Sequence, residues 1–197
     1  MGERTTRSTA AERDGKGDSA RALVSAITGA PAILRTRRLD LIAANPLARS
    51  LYEPVMSGSR TPNLARFVYL DPERARSFFP DWERLCDECV HLLRSAAEHD
   101  PHDRALHRLI GELSTRSATF RDRWSARRTS GVRLPRERLR HPVVGELILL
   151  REELTPARDP GTTLTVYLPS EDRATRERFA ILASWVQPDR CAGAHGG

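Results

Sequence analysis

The stretch PAILRTRRLDLIAANPLARSLY, residues 31–52, divides into three parts. Ala32–Leu34 is a short apolar run with the residue types of a strand. Thr36-Arg37-Arg38 is polar and can turn the chain, and Leu39–Ala43 alternates loosely enough to pair back as a second strand. Asn45-Pro46 then predicts a helix start. The Asn side-chain oxygen can accept a free N–H of the first turn, and Pro at the first helical position lacks an N–H that would have no partner there. Leu47 with Leu51, and Ala48 with Tyr52, fall four residues apart and give that helix an apolar face.

Working outward, residues 1–20 are polar, Gly-rich and without periodicity, and read as a disordered N-terminal tail. Residues 21–28, with Leu23, Val24 and Ile27, predict a short helix at the domain edge, closed by Gly29. Downstream, Thr61-Pro62, Asp71-Pro72 and Asp100-Pro101 repeat the pairing of a capping residue with Pro and predict helix starts near 62, 72 and 101. Asp81 opens a long helix to about Glu98. Its apolar stripe is Trp82, Leu85, Cys86, Cys89, Val90, Leu92, Leu93, Ala96 and Ala97, and its polar face is Glu83, Arg84, Asp87, Glu88 and Arg94. The next helix carries Leu106, Leu109, Ile110 and Leu113 on one face, and Ser117 caps another that sets Phe120 and Trp124 one turn apart. Arg127–Arg140 reads as a mobile, arginine-rich crossing. His141–Gly145 and Glu146–Leu154 predict a bent strand or two strands. Asp159-Pro160-Gly161-Thr162 predicts a tight turn with Gly161 at positive φ, and Thr163–Leu168 an antiparallel strand with Leu164, Val166 and Leu168 on one face and Thr163, Thr165 and Tyr167 on the other. Ser170 is expected to cap a last helix through Trp185. Residues 21–187 thus form one domain, and 188–197 a flexible tail.

A chain of 197 residues with 39% hydrophobic and 29% charged residues can bury a real core. No apolar run approaches a bilayer span, the N-terminus has no apolar stretch to act as a secretory signal, and three cysteines do not make a disulfide framework, so the cytoplasm is the expected compartment and no membrane the expectation. The net charge is +6, with Lys16 the single lysine. Scattered among Asp and Glu, the arginines suit an arginine-biased coding sequence better than a nucleic-acid face.

Motifs for chemistry are few. Cys86-Asp87-Glu88-Cys89 lies mid-helix with both sulfurs on the apolar stripe, where core packing is expected; a redox pair belongs at a helix N-terminus and a zinc site needs two further ligands. The six histidines make no metal spacing. No GxSxG, Walker A loop or GxGxxG occurs, so no catalytic residues, no metal and no cofactor are assigned, and an enzyme is not expected.

Five segments in order carry a family resemblance: the opening stretch, NLARFVYLDPERARSFFPDWE at 63–83, RALHRLIGELSTRSATFRDRW at 104–124, RLRHPVVGEL at 138–147 and TLTVYLP at 163–169. Together they resemble the MmyB-like ligand-binding domain, the sensor half of many bacterial helix-turn-helix transcription regulators. The resemblance spans roughly residues 22 to 185. It implies an α+β, PAS-like fold, with an antiparallel sheet from the N- and C-terminal strands and a central helical insert. In that family a helix-turn-helix precedes the sensor. Here some twenty polar residues stand in its place, which predicts no sequence-specific DNA binding by this chain alone. The family's His-Asp-Val-like stretch after the helix ending in Trp124 is replaced by Arg127, Arg128 and Thr129.

The function the resemblance implies is binding of a small apolar or fatty-acyl-type ligand. The expected pocket wall is Phe67, Phe78, Leu106, Ile110, Leu113, Phe120, Trp124, Val144, Leu147 and Val166, with Arg66, Arg121 and His141 as carboxylate partners. Two other classes stay open: an interaction protein that forms a homodimer or pairs with a related intact regulator, and a regulator truncated of its DNA-binding domain.

Overall fold

The computed structural model describes residues 18–126 and 135–186. Of the expected tails at 1–20 and 188–197, residues 1–17 and 188–197 lie outside the described residues, as does the family departure at Arg127–Thr129, while residues 18–20 are helical. A helix over residues 18–26, α1, leads into β1 (Ala32–Thr36) and β2 (Leu41–Ala44). Seven helices follow: α2 (Pro46–Leu51), α3 (Glu53–Met56), α4 (Leu64–Leu70), α5 (Pro72–Phe78), α6 (Trp82–His99), α7 (Arg104–Arg116) and α8 (Ala118–Ser125). Then come β3 (Arg136–His141), β4 (Gly145–Leu154), β5 (Thr162–Pro169) and α9 (Arg173–Ser184). The fold is α+β: a five-stranded, open antiparallel sheet in the order β2-β1-β5-β4-β3, closed by strands from the two ends of the sequence around a helical insert. This arrangement is compatible with a PAS-like domain.

The opening unit forms as its residues dictate. Asn45 caps α2, its Oδ1 accepting the N–H of Ala48 at 2.8 Å and that of Ala32 at 3.2 Å, while its amide donates to the carbonyls of Ile27 and Ala30. One buried side chain therefore ties α2, β1 and the end of the α1 linker together. The turn is longer than the sequence suggests. Leu39 does not join β2 but sits at φ 67, held by Leu39 N–H to Thr36 carbonyl and Thr36 N–H to Asp40 carbonyl bonds. That left-handed backbone disfavours a γ-branched residue, and complete burial of the Leu39 side chain offsets it.

Two expected helix starts shift because the capping side chain is the one that also bonds a second element. Asn63, not Thr61, caps α4, because its amide donates to Arg38 carbonyl and Asp40. Asp103, not Asp100, caps α7, accepting from Ala105 and Leu106 N–H while pairing with Arg38. Asp172, not Ser170, caps α9. Gly161 is not at positive φ; the Asp159 turn closes by the Thr162 N–H and Oγ1 bonding the Asp159 carbonyl. The stretch 136–141, expected at the end of a mobile crossing, is a strand. Its alternation was masked because the inward residues are Glu137, Leu139 and His141 between outward arginines.

Two cores result. The larger lies between α2–α9 and one sheet face, and contains Ile33, Leu139, Leu147, Leu149 and Tyr167. On the opposite face Ala20 and Val24 of α1 cover Ala32, Leu34 and Leu164, with Val166 beside them. β5 is therefore used on both sides. Its Leu164 and Val166 meet α1, while Tyr167, from the alternate set, enters the main core.

Candidate ligand-binding core

The inner face of the sheet is not uniformly apolar. Alternation along β3 turns Glu137 inward, and the pairing of Arg151 with Tyr167 across β4 and β5 brings those two side chains to the same face. Tyr52, at the C-terminal cap of α2, reaches the same point. Its hydroxyl donates to Glu137 Oε1 at 2.5 Å. A tyrosine has one hydroxyl proton, so Tyr167 turns its own toward the Tyr52 oxygen at 2.6 Å, with Glu137 Oε2 a poorer alternative at 3.4 Å. The Arg151 guanidinium meets Glu88 of α6 at 2.8 Å, Glu137 at 3.3 Å and Glu153 at 3.9 Å, and Glu153 pairs with Arg35 of β1 at 3.4 Å. Glu88 is thus buried, contrary to its expected place on the outer face of α6, because Arg151 lies opposite it.

Burial sets the protonation of this cluster. It pushes the Glu137 carboxyl above the ordinary range, against the pull of the Arg151 cation. It raises Tyr52 and Tyr167 well above the usual phenol range, and the charge of Glu137 raises them further. Burial disfavours the Arg151 cation, but Glu137 and Glu88 more than offset it and its pKa is raised. Such groups are tolerable only fully bonded, since an unpartnered charge there costs several kcal/mol.

Around the network lies an aromatic layer. Tyr52 meets Phe78 edge-on at 5.7 Å and Tyr167 at 5.4 Å, Phe78 meets Phe79 at 4.7 Å, and Phe67 meets Phe79 at 6.2 Å. Toward the helices Phe120 is edge-on to Tyr69 at 4.9 Å and stacks on Trp124 at 5.5 Å. Of the wall residues expected from the sequence, Phe67, Phe78, Leu106, Leu113, Phe120 and Leu147 are buried in the main core. Ile110, Trp124 and Val144 are half-buried against it. Val166 is separated from them on the far face of the sheet, beneath α1.

The three polar candidates stand apart. Arg66 is paired with Glu112 at 2.9 Å. Arg121 lies on the exposed side of α8 and donates to the Ser114 carbonyl at 3.1 Å. His141 is buried with both ring nitrogens engaged. Nδ1 accepts from the N–H groups of Val143 and Val144, so the proton sits on Nε2, which donates to the Ser50 carbonyl at 3.1 Å. That neutral ring fastens the β3–β4 turn to α2.

Cys86 and Cys89 are fully buried free thiols in the core. Burial pushes Cys86 up to about 12 and Cys89 well above its ordinary value, which leaves both as unreactive thiols. No set of three metal-ligating side chains occurs among the described residues. The residues that sequence reasoning passed over are Tyr52, Glu88, Glu137, Arg151 and Tyr167. Period-two alternation through Arg136–His141 was the available signal for Glu137.

A helical layer laid on an open antiparallel sheet, with an interior that is apolar at the helices and charged at the strands, makes this an α+β domain with a mixed apolar and charged interior. The sequence matches the family model of the MmyB-like transcription regulator ligand binding domain over residues 17–182, and the chain belongs to that family. The family is a regulator domain family, not an enzyme class. No curated protein matches the sequence. Among the described residues no helix is long and apolar enough to cross a membrane.

Proposed function

We propose that this domain senses a fatty-acyl-type ligand, taken up by its apolar chain among α6, α7 and α8. The observation that carries the reading is the gradient along α7 and α8. Leu106, Leu113 and Phe120 are fully buried, whereas Ile110 and Trp124 are half-buried and reach the surface from the same core. On this reading a chain enters beside Ile110 and Trp124 and displaces their packing to meet the buried side chains below. Arg121, which faces no carboxylate among the described residues, and Arg66, whose Glu112 partner is exchangeable at the surface, are the headgroup candidates. His141 is spent on backbone and contributes position only.

Each buried methylene is worth about 0.8 kcal/mol, or about fourfold in affinity, before ordering costs. The test is a titration of fatty acids of increasing length, with the matching alcohols alongside, read by Trp124 fluorescence. Affinity is expected to rise with length until the space is filled. Ile110→Trp and Leu113→Trp are expected to weaken long chains more than short ones. Affinity indifferent to chain length removes the acyl reading, and equal binding of acids and alcohols removes the two arginines from it.

A further inference from the structure

We infer a second binding site, for a small organic anion, in a groove of about 290 Å3 where the α4–α5 junction faces the α7–α8 junction. It goes beyond the acyl reading and does not depend on it. Half-buried Leu70 and Pro72 give the groove a small apolar patch, backed by the almost wholly buried Tyr69 and Trp82. The rim carries Arg76 and Arg116, and no Asp or Glu lines it. Arg35, Arg66, Arg138 and Arg151, by contrast, are paired with carboxylates. Arg76 is held in place by another means. Its guanidinium lies over the Trp82 ring at 4.0 Å, and it meets no carboxylate among the described residues. Stacking fixes the plane of the fork while leaving its N–H donors for an oxygen anion.

The second arginine is only partly spoken for. Arg116 Nη1 touches Glu112 at 3.2 Å with the side chain largely exposed, and Glu112 is already held by Arg66. The Thr119 side chain lies at the same rim. The Trp82 indole N–H and the Tyr69 hydroxyl are consumed by the Val68 and Cys86 carbonyls, so neither supplies a donor to the groove. The volume is at the lower end of small-molecule pockets. The chemistry is therefore a carboxylate or phosphate group between the two guanidinium groups, carried on a compact organic body against Leu70 and Pro72.

The probes are benzoate and phenyl phosphate, with inorganic phosphate and benzyl alcohol as partial mimics, titrated into the full chain. The readout is the indole N–H resonances of Trp82, Trp124 and Trp185, assigned by Trp→Phe variants. The expected result is saturable displacement of the Trp82 resonance by benzoate and phenyl phosphate, with Trp124 and Trp185 unmoved and benzyl alcohol inert. Arg76→Gln is expected to weaken binding about tenfold, as loss of a charged hydrogen bond implies, and Arg116→Gln to add to it. Arg60→Gln, an exposed control, is expected to change nothing. Three results overturn the site: no saturation by either aryl anion, undiminished binding to the folded Arg76→Gln/Arg116→Gln double variant, or inorganic phosphate binding as tightly as phenyl phosphate.

Discussion

Tyr52→Phe tests the buried network most sharply, because it deletes one oxygen and leaves the packing. The ring keeps its contacts with Phe78 and Tyr167, so no cavity larger than an oxygen atom opens. What is lost is the hydroxyl that donates to Glu137 at 2.5 Å. A hydrogen bond to a charged group contributes about 1.5–3 kcal/mol. Tyr167 can redirect its proton to Glu137 only across 3.4 Å, which recovers a small part. The net loss at neutral pH is therefore about 2 kcal/mol. With a urea slope of about 2 kcal/mol/M this moves the unfolding midpoint down by about 1 M. In a Glu137→Gln background the same bond joins two neutral groups, so Tyr52→Phe should cost about 1 kcal/mol and the cycle should close with about 1 kcal/mol of coupling. The assay is urea unfolding of the four proteins by far-UV circular dichroism. A Tyr52→Phe variant within 0.5 kcal/mol of wild type, or a cost identical in the two backgrounds, refutes the view that the phenol supports a buried carboxylate.

Four further outcomes follow from the same contacts. Glu137, raised above its ordinary value of 4.5 by burial, keeps its proton longer in the folded than in the unfolded chain. Its contribution is thus fully present below that value and is lost as pH rises through the folded pKa, and Glu137→Gln should remove that fall from a stability–pH profile. Asp81, held below its ordinary value of 3.8 by the hydrogen bond from Arg138, has the opposite sign: its contribution is present above that value and lost as pH falls through the folded pKa, so Asp81→Asn should flatten the acid limb of the same profile. Asn45→Ala removes four hydrogen bonds from a buried site and should cost about 3 kcal/mol by urea unfolding, more than an ordinary cap. Cys86→Ser or Cys89→Ser puts a hydroxyl into a packed core and should cost about 1–3 kcal/mol, with metal analysis of the wild type showing no stoichiometric zinc.

The fold was legible where local chemistry and tertiary structure agree. Asn45-Pro46 announced α2, Asp71-Pro72 announced α5, and the 3.6-residue stripe from Trp82 gave α6 almost to the residue. It was illegible where a polar side chain faces inward. β3 reads as Arg-Glu-Arg-Leu-Arg-His, and nothing local says that Glu137 will meet Tyr52, 85 positions away in sequence. Glu88 was assigned to the water side of α6 for the same reason: its partner Arg151 lies on a strand far along the chain. The candidate site was legible as a set of apolar residues, because helical periodicity marks them. Which side of a strand meets which core was not, and so Val166 was grouped with residues that lie across the sheet from it.

The central pairing of β1 with β5 joins Ala32 to Val166. This register has a consequence for how the protein is made. The middle strand, β5, pairs with β1, the strand furthest from it in sequence, so sheet closure must await everything between them. At about 5–20 residues per second, a ribosome takes on the order of 10 s to supply β5 after β1. During that interval β1 has only the short β2 beside it, and the apolar edge of Leu34 and Ala32 is unpaired. The helices from α4 to α8 are built from neighbouring segments and can assemble first, as low-separation contacts do. β3, β4 and β5 pair through neighbouring segments, so the long-range step left to the sheet is the joining of β5 to β1.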